Sequence, residues 1–440
     1  MKKLKLTKKK QKVNLASSKK DVIVRSETTK QSQKIMRLPR PAFGGTRNDG
    51  LSNLLNKFLL FLFIFLLPTQ LGKHFFFKFS YLSGVRVDYL APTIYVTDIL
   101  AFLLFIMNFK LVWHFLKQKK ILILLSLLFV NLLVSRFPPV TLYRYLKILE
   151  VIGIFYIFKK GLFPRFMLLS GFLLAAAFEL ILSTLQFINK HSLQGLFYFF
   201  GERPLNLSMP GIAKASLSGL EILRPYGTFS HPNSMAGFYL LVYFFILTAK
   251  KIPDSLSKKI LLLVSSLLVF LSFSKVAIAT FLLLNFIYLW RSSLKKNCRL
   301  CFISHILIIS IVSLVFLQAK TDPLSLQKRL LLTQNSLVII GQHPFFGVGL
   351  GNYLLAQQQF PQRYADFLNQ PVHNLPLLLL SEIGVVMLII ICIIFLKEFK
   401  NAVKNFPYIF VVVLLTGLFD HYWLTLQQNF LLIGLVLGVL

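Results

Sequence analysis

The feature that most constrains this chain is a recurring run of uninterrupted apolar residues. Stretches such as LLNKFLLFLFIFLLP, ILILLSLLFVNLLVS and EIGVVMLIIICIIFL reach the length at which a helix crosses roughly 30 Å of hydrocarbon. About twelve such segments recur, at roughly 54–70, 91–109, 120–135, 140–158, 165–188, 234–249, 259–273, 275–290, 301–318, 373–396, 406–419 and 424–440. A bilayer offers no water to backbone N–H and C=O groups, so these runs must satisfy them within helices. The expected fold is all-α, a polytopic membrane protein with about twelve transmembrane helices. Composition agrees: 56% of the 440 residues are hydrophobic and 15% are charged, against about 25% charged in a soluble domain.

The net charge of +34 would suit a nucleic-acid partner, but its placement argues otherwise. Fifteen of the 49 lysines and arginines fall in the first fifty residues. That segment is rich in Lys, Ser, Gln and Thr, and is expected to be a disordered, cytoplasmic tail resting on anionic lipid headgroups. Other cations sit in alternate loops: Lys110, Lys117, Lys119 and Lys120; Lys159, Lys160 and Arg165; Lys250, Lys251, Lys258 and Lys259; Arg291, Lys295, Lys296 and Arg299; Lys397, Lys400 and Lys404. With twelve helices all of them fall on one side together with the tail, as the positive-inside rule requires. Both termini are therefore expected in the cytoplasm, with residues 51–440 as the membrane domain. The tail is too long for the n-region of a cleavable signal, and no small-residue cleavage site follows the first apolar run, so the first helix is expected to remain as an anchor. Cys298 and Cys301 form a lone CxxC without a second pair, a weak metal or redox signal. No HExxH, paired His–carboxylate cluster or DxD spacing stands out, and no metal or other cofactor is expected.

The opposite side carries two long loops, 189–233 and 319–372. Loops of this length are usually functional or disordered. In the first, LRPYGTFSHPNSMAG places Arg224 shortly before a helix expected to start near Pro232, with Asn233 beside it. A helix N-terminus and a guanidinium together favour an anion, and arginine can grip two phosphate oxygens at once. Lys275 lies in a tight turn between apolar segments, beside Ser272 and Ser274, and is either a functional cation or one reaching to water at a hairpin. Arg144, Lys147 and Glu150 share one helix stripe at i, i+3 spacing; Arg144 lies nearest the outer end, and Lys147–Glu150 reads as a structural pair. The second loop holds a basic pair, Lys328 and Arg329, and then GVGLG, whose Gly347 and Gly349 could turn backbone N–H groups toward an anion or simply fold the loop close over helix ends. His373 and Asn374 open the next apolar helix. A neutral imidazole can take a proton from a hydroxyl nucleophile. Glu382, nine residues on, falls on the opposite helix face and is not expected to orient that ring.

HPFFGVGLGNY, VHNLPLLLLSEIG and RPYGTFSHPNSMAG resemble the O-antigen ligase/polymerase superfamily of bacterial membrane glycan transferases, over roughly residues 54–440. The resemblance implies a helical fold with a long outward loop packed over a central cavity. It implies metal-independent, inverting transfer of a glycan from an undecaprenyl-diphosphate-linked donor to an acceptor hydroxyl at the outer face of the cytoplasmic membrane. His373 matches the family histidine that acts on the acceptor, and Arg224 an arginine that holds the diphosphate. Where the family has a second arginine this chain has Lys275, which keeps the charge and loses the bidentate fork, shifting weight to Arg329. Arg144, Asn233, Gly347, Gly349 and Asn374 complete the expected substrate contacts. The expected partners are the lipid-linked donor, a glycan, lipid or protein acceptor, and membrane lipids. A flippase for the same donor is the rival reading; it needs no general base, and the candidate residues cluster on one face.

Overall fold

The computed structural model describes residues 47–161, 164–217, 219–296, 299–318, 323–361 and 369–440. The basic tail up to residue 46, Cys298 and the stretch 362–368 of the second loop lie outside the described residues. Residues Leu54–Leu440 form one compact unit.

The structure is mostly helical. The helices are α1 (Arg47–Leu66), α2 (Val96–Met107), α3 (Phe109–Leu116), α4 (Lys119–Leu133), α5 (Pro138–Lys159), α6 (Arg165–Asn189), α7 (Pro232–Thr248), α8 (Leu256–Leu271) and α9 (Lys275–Lys296). They continue as α10 (Arg299–Leu317), α11 (Pro323–Gln342), α12 (Tyr353–Gln357), α13 (Leu375–Ile383), α14 (Val385–Ile394), α15 (Leu396–Asn405), α16 (Pro407–Gly417), α17 (Tyr422–Thr425) and α18 (Gln427–Val439). The all-α expectation needs one amendment. Three two-stranded antiparallel sheets pair β1 (Gly72–His74) with β4 (Thr93–Tyr95), β2 (Tyr81–Leu82) with β3 (Val85–Arg86), and β5 (Lys214–Leu217) with β6 (Leu220–Leu223).

Each of the twelve apolar segments holds a helix, yet few of these are long. Among the described residues α6 can cross a membrane by length and composition, and up to three spans qualify if the bent pairs α2–α3 and α13–α14 each count as one. Several others are apolar but have only 10–17 residues. The bends are sharp, 91° between α2 and α3 and 105° between α13 and α14. The second falls at Gly384, whose φ of +74° suits glycine. A break leaves helix carbonyls without intrahelical partners. The GVGLG turn supplies donors: Val348 N bonds Ser381 O and Gly349 N bonds Glu382 O, both at 3.0 Å. This is the fold-over-helix-ends reading of those glycines.

Two packing rules place the centre. Helix α7 has apolar residues on every side, and such a helix must be buried all round; it is enclosed by α8, α9, α16 and α18. Its first turn is thereby buried at Pro232 and Ser234. Helix α18 lies close along α5 because small residues at i, i+4 let backbones approach. A Cβ at Gly434 would stand 2.8 Å from Val151 Cγ1, and Gly438 faces Phe155 and Phe158 in the same way. At one end Lys120 pairs with Glu398 at 2.6 Å and Arg165 Nη1 donates to Lys251 O at 3.1 Å. Loops of the lysine-rich set thus meet each other at that end.

Candidate active site

The site is assembled from loop ends at the other end of the bundle. Asn374 caps α13: its Oδ1 accepts from Leu377 N at 2.9 Å, while its Nδ2 donates to Leu418 O at 3.0 Å. Both groups are spent on the scaffold, so Asn374 positions His373 rather than reaching outward. Next to it, His373 Nδ1 lies 3.4 Å from Asp420 Oδ1, and the two side chains are 12% and 9% exposed. The contact lacks the alignment of a full hydrogen bond, and Nδ1 has no hydrogen-bond partner. The His421 ring stands 5.1 Å from that of His373.

From Asp420 a line of polar contacts runs to the arginine of the first loop. Asp420 Oδ2 accepts from Asn233 Nδ2 at 3.0 Å, and Asn233 Oδ1 accepts from Arg224 Nη2 at 2.6 Å. Arg224 Nε donates to Ser272 O at 2.9 Å, in the turn that precedes Lys275. Pro232 opens α7, and His231 caps it by accepting from Asn233 N at 3.1 Å. Arg224 thus lies beside the first turn of α7. Asn233, expected to touch substrate, spends its amide as the relay between Arg224 and Asp420. Arg329 joins from α11 through Nη1 to Phe419 O at 3.0 Å. Lys275 is exposed at the first turn of α9. Lys328 is buried, its ammonium has no hydrogen-bond partner, and burial lowers its pKa to about 8.

Arg144 approaches from the side of α5. Its Nη2 donates to Tyr89 O at 2.9 Å and its Nη1 to Thr425 O at 3.5 Å. Thr425 Oγ1 is 2.8 Å from His421 Nδ1, and Tyr89 meets the His421 ring edge-on at 5.5 Å. Lys147 pairs with Asp98 and lies 3.8 Å from Glu150, while Gln427 bonds both acids. That network ties α2, α5 and α18, which extends the structural reading of the Lys147–Glu150 pair. A small cavity beside Arg144 is lined by Tyr89, Arg144, Lys147, Glu382 and Thr425 and, over most of its surface, by apolar residues such as Ile148, Leu354, Leu424 and Phe430. Gly347 and Gly349 stay apart from the histidines, with their N–H groups bonded to His343 O and Glu382 O. Glu382 accepts from Tyr353 N at 3.4 Å, and the acid beside His373 is Asp420.

The charges of the cluster follow from burial and neighbours. Burial pushes the Asp420 carboxyl up, but His373, with His421 and His231, outweighs it and holds the group well below the usual carboxylate range. Burial, aided by Arg224, lowers His231 to about 3, and burial against the opposing pull of Asp420 lowers His421 to about 3. Those two rings are neutral near pH 7. Burial lowers Arg224 to about 10, which leaves it charged.

Sequence reasoning missed Asp420, His421 and Tyr89 as parts of the site. The adjacent Asp-His at the end of an apolar segment was the available signal, since ionisable groups at membrane depth are rarely idle. Arg203 was also missed; it is exposed and donates to Ser230 O at 3.4 Å, beside His231. His373, Asp420 and His421 offer ligand atoms within 4.8 Å of one another, a spread that could hold a metal ion. No metal was expected, and the trio is the place where that expectation has to be tested.

Comparison with known proteins bears on the same segment. No curated protein matches the chain. Residues 260–392 match the model of the O-antigen ligase family. The matched stretch includes Lys275, Arg329, Gly347, Gly349, His373 and Asn374; Arg144, Arg224, Asn233 and Asp420 fall outside it. This family and the apolar helices point to a membrane protein that handles lipid-linked glycans. Residues 260–392 are thus similar to an O-antigen ligase domain.

Proposed function

We propose that this protein transfers a glycan from an undecaprenyl-diphosphate-linked donor to an acceptor hydroxyl, without a metal and with inversion, at the outer face of the cytoplasmic membrane. The observation that carries this reading is the continuous contact line His373–Asp420–Asn233–Arg224. It couples a candidate base to a candidate anion clamp. A proton on Nδ1 facing Asp420 leaves the Nε2 lone pair of His373 for the acceptor. As the acceptor oxygen bonds to the anomeric carbon, its proton passes to Nε2 and the bond to the diphosphate oxygen breaks. Charge then grows on the leaving diphosphate, where Arg224 and Arg329, with Lys275 close by, stabilise it. Preorganised charges aimed at developing charge are usually the largest catalytic contribution.

Asp420 is a positioning residue in this scheme. Asp420→Asn keeps the shape but loses the charge that orients the imidazole. Transfer should fall about 10²-fold, the scale of a misplaced reacting group. The loss should appear in kcat with donor KM nearly unchanged, and Asp420→Glu should recover part of it. A wild-type rate in Asp420→Asn would remove the dyad from the mechanism.

The orientation is tested separately. Tags at residue 1 and after Leu440 should be protected from outside reagents in intact cells, whereas a cysteine at the exposed Gln358 should be labelled from outside. Labelling of the N-terminal tail in intact cells would reverse the orientation and move the site to the cytoplasm.

A further inference from the structure

The first long loop contains the sequence Gly195–Phe200, GLFYFF, folded as a short 3-10 turn. Its large apolar side chains are turned outward: Leu196 is 79% exposed, Phe199 67% and Tyr198 53%. Its place on the molecule decides what covers them. Phe197 and Phe200 pack on Phe178 of α6, with ring centroids 6.0 and 5.0 Å apart. Phe178 belongs to the stripe Leu174, Phe178, Ile181, Leu185 and Ile188, spaced four and three apart. Leu174, Ile181 and Ile188 in that stripe are 51–65% exposed. On the helix that is long and apolar enough to span, an exposed apolar stripe is the lipid-facing side.

The depth follows from the helix rise. Glu202, just after the turn, is bonded by the Gln186 side chain at 2.8 Å. Gln186 stands eight residues beyond Phe178, or about 12 Å nearer the end of α6 at 1.5 Å per residue. The chain therefore leaves α6 at Asn189 and turns back along its lipid face, with Glu202 at the level of Gln186 and the rings of Phe197 and Phe200 reaching down to Phe178. A segment in hydrocarbon must satisfy its own backbone, and this one does so to a large extent. Leu193 N and Gln194 N donate to the buried Glu202 carboxylate at 2.9 and 2.5 Å. Phe197 N, Gly201 N and Glu202 N bond to Gln194 O, Tyr198 O and Phe197 O. Phe200 O accepts from Thr69 Oγ1 and Gly201 O from Gln70 Nε2.

We propose that Gly195–Phe200 is a membrane-inserted element, with Leu196, Tyr198 and Phe199 in contact with the hydrocarbon of the bilayer leaflet on that side. Gln186 links it to the arginine loop, since its Oε1 accepts from Tyr226 N and Gly227 N at 3.0 and 2.8 Å. Lipid contact at the turn and the placement of Arg224 thus share one side chain. The inference rests on the membrane reading of α6 but not on the reaction.

The test is fluorescence quenching in lipid nanodiscs. Single cysteines at Leu196, Ile181 and Ser208 are introduced into full-length protein whose three native cysteines are replaced, and each is labelled with an environment-sensitive dye. A dye at Leu196 should emit as in an apolar medium and lose most of its emission when doxyl lipids are included, while aqueous iodide leaves it nearly unchanged. Ile181 on the helix stripe should behave alike, and the exposed Ser208 should show the reverse. If Ile181 is quenched by doxyl lipid and Leu196 by iodide, the inserted turn is overturned while α6 remains a span. If both respond only to iodide, the membrane reading of α6 falls and the proposal with it.

Discussion

Replacement of His373 by alanine is expected to lower glycan transfer by roughly 10²–10⁴-fold, the usual contribution of general acid–base catalysis. The variant should remain folded, because Asn374 rather than His373 caps α13 and ties it to Leu418. Donor binding should stay nearly intact, because in the proposed scheme the cations rather than the imidazole hold the diphosphate. His231 and His421 are held at about 3 by burial, and Asp420 stays ionised well below neutrality, so these neighbours keep their charge states across the assay range. A chelator should leave the wild-type rate unchanged. Loss of activity in chelator, restored by added divalent cation, would make the His373–Asp420–His421 trio a metal site instead. A His373→Ala protein that transfers at the wild-type rate would end the general-base assignment. A wild-type protein that moves the donor across a bilayer and never yields a glycosylated acceptor would establish the flippase.

What could be read ahead of the structure was local, and what could not was long-range. His373 and Arg224 announce themselves through neighbours in sequence: a Pro or polar residue at a helix start, and a turn before it. Their partners do not. Asp420 stands 47 positions after His373 and Asn233 lies 187 positions before Asp420, and only the packing of α7, α13 and α16 brings the three together. Asp420-His421 was visible as an ionisable pair beside an apolar run, but no spacing rule says which distant histidine it meets. The glycines show the converse error. GVGLG offered N–H groups to an anion in principle, yet the nearby break at Gly384 leaves carbonyls that need those donors first. That break was hidden because hydropathy reads composition and not direction: segment 373–396 is apolar throughout, yet it turns by 105°. The same blindness concealed the GLFYFF turn, which the loop assignment of 189–233 placed in water.

Arg224→Ala should weaken donor use at least as severely as loss of one preorganised donor in an oxyanion site, about 10²–10³-fold. Two structural facts set that expectation. The guanidinium is buried and already fixed through Nε to Ser272 O and Nη2 to Asn233, so it meets a ligand without reorganising. Burial lowers its pKa only to about 10, so it stays charged near neutral pH. Because Arg224 also holds Asn233, and Asn233 holds Asp420, alanine should blunt the acid side of the reaction as well as the anion clamp. The effects of Arg224→Ala and Asp420→Asn should then be less than additive, as for groups in one network. Arg224→Lys separates charge from geometry: an ammonium keeps the charge but cannot bond Ser272 O and Asn233 and still present two donors to phosphate, so rescue should be poor. Lys275→Arg tests the neighbouring position in the opposite direction. Lys275 is exposed three residues beyond the carbonyl that Arg224 grips, so a longer, forked cation there should retain or raise activity. Thermal unfolding of each purified variant distinguishes a lost contact from a lost fold, and donor turnover at the wild-type rate in a folded Arg224→Ala protein would take this arginine out of the mechanism.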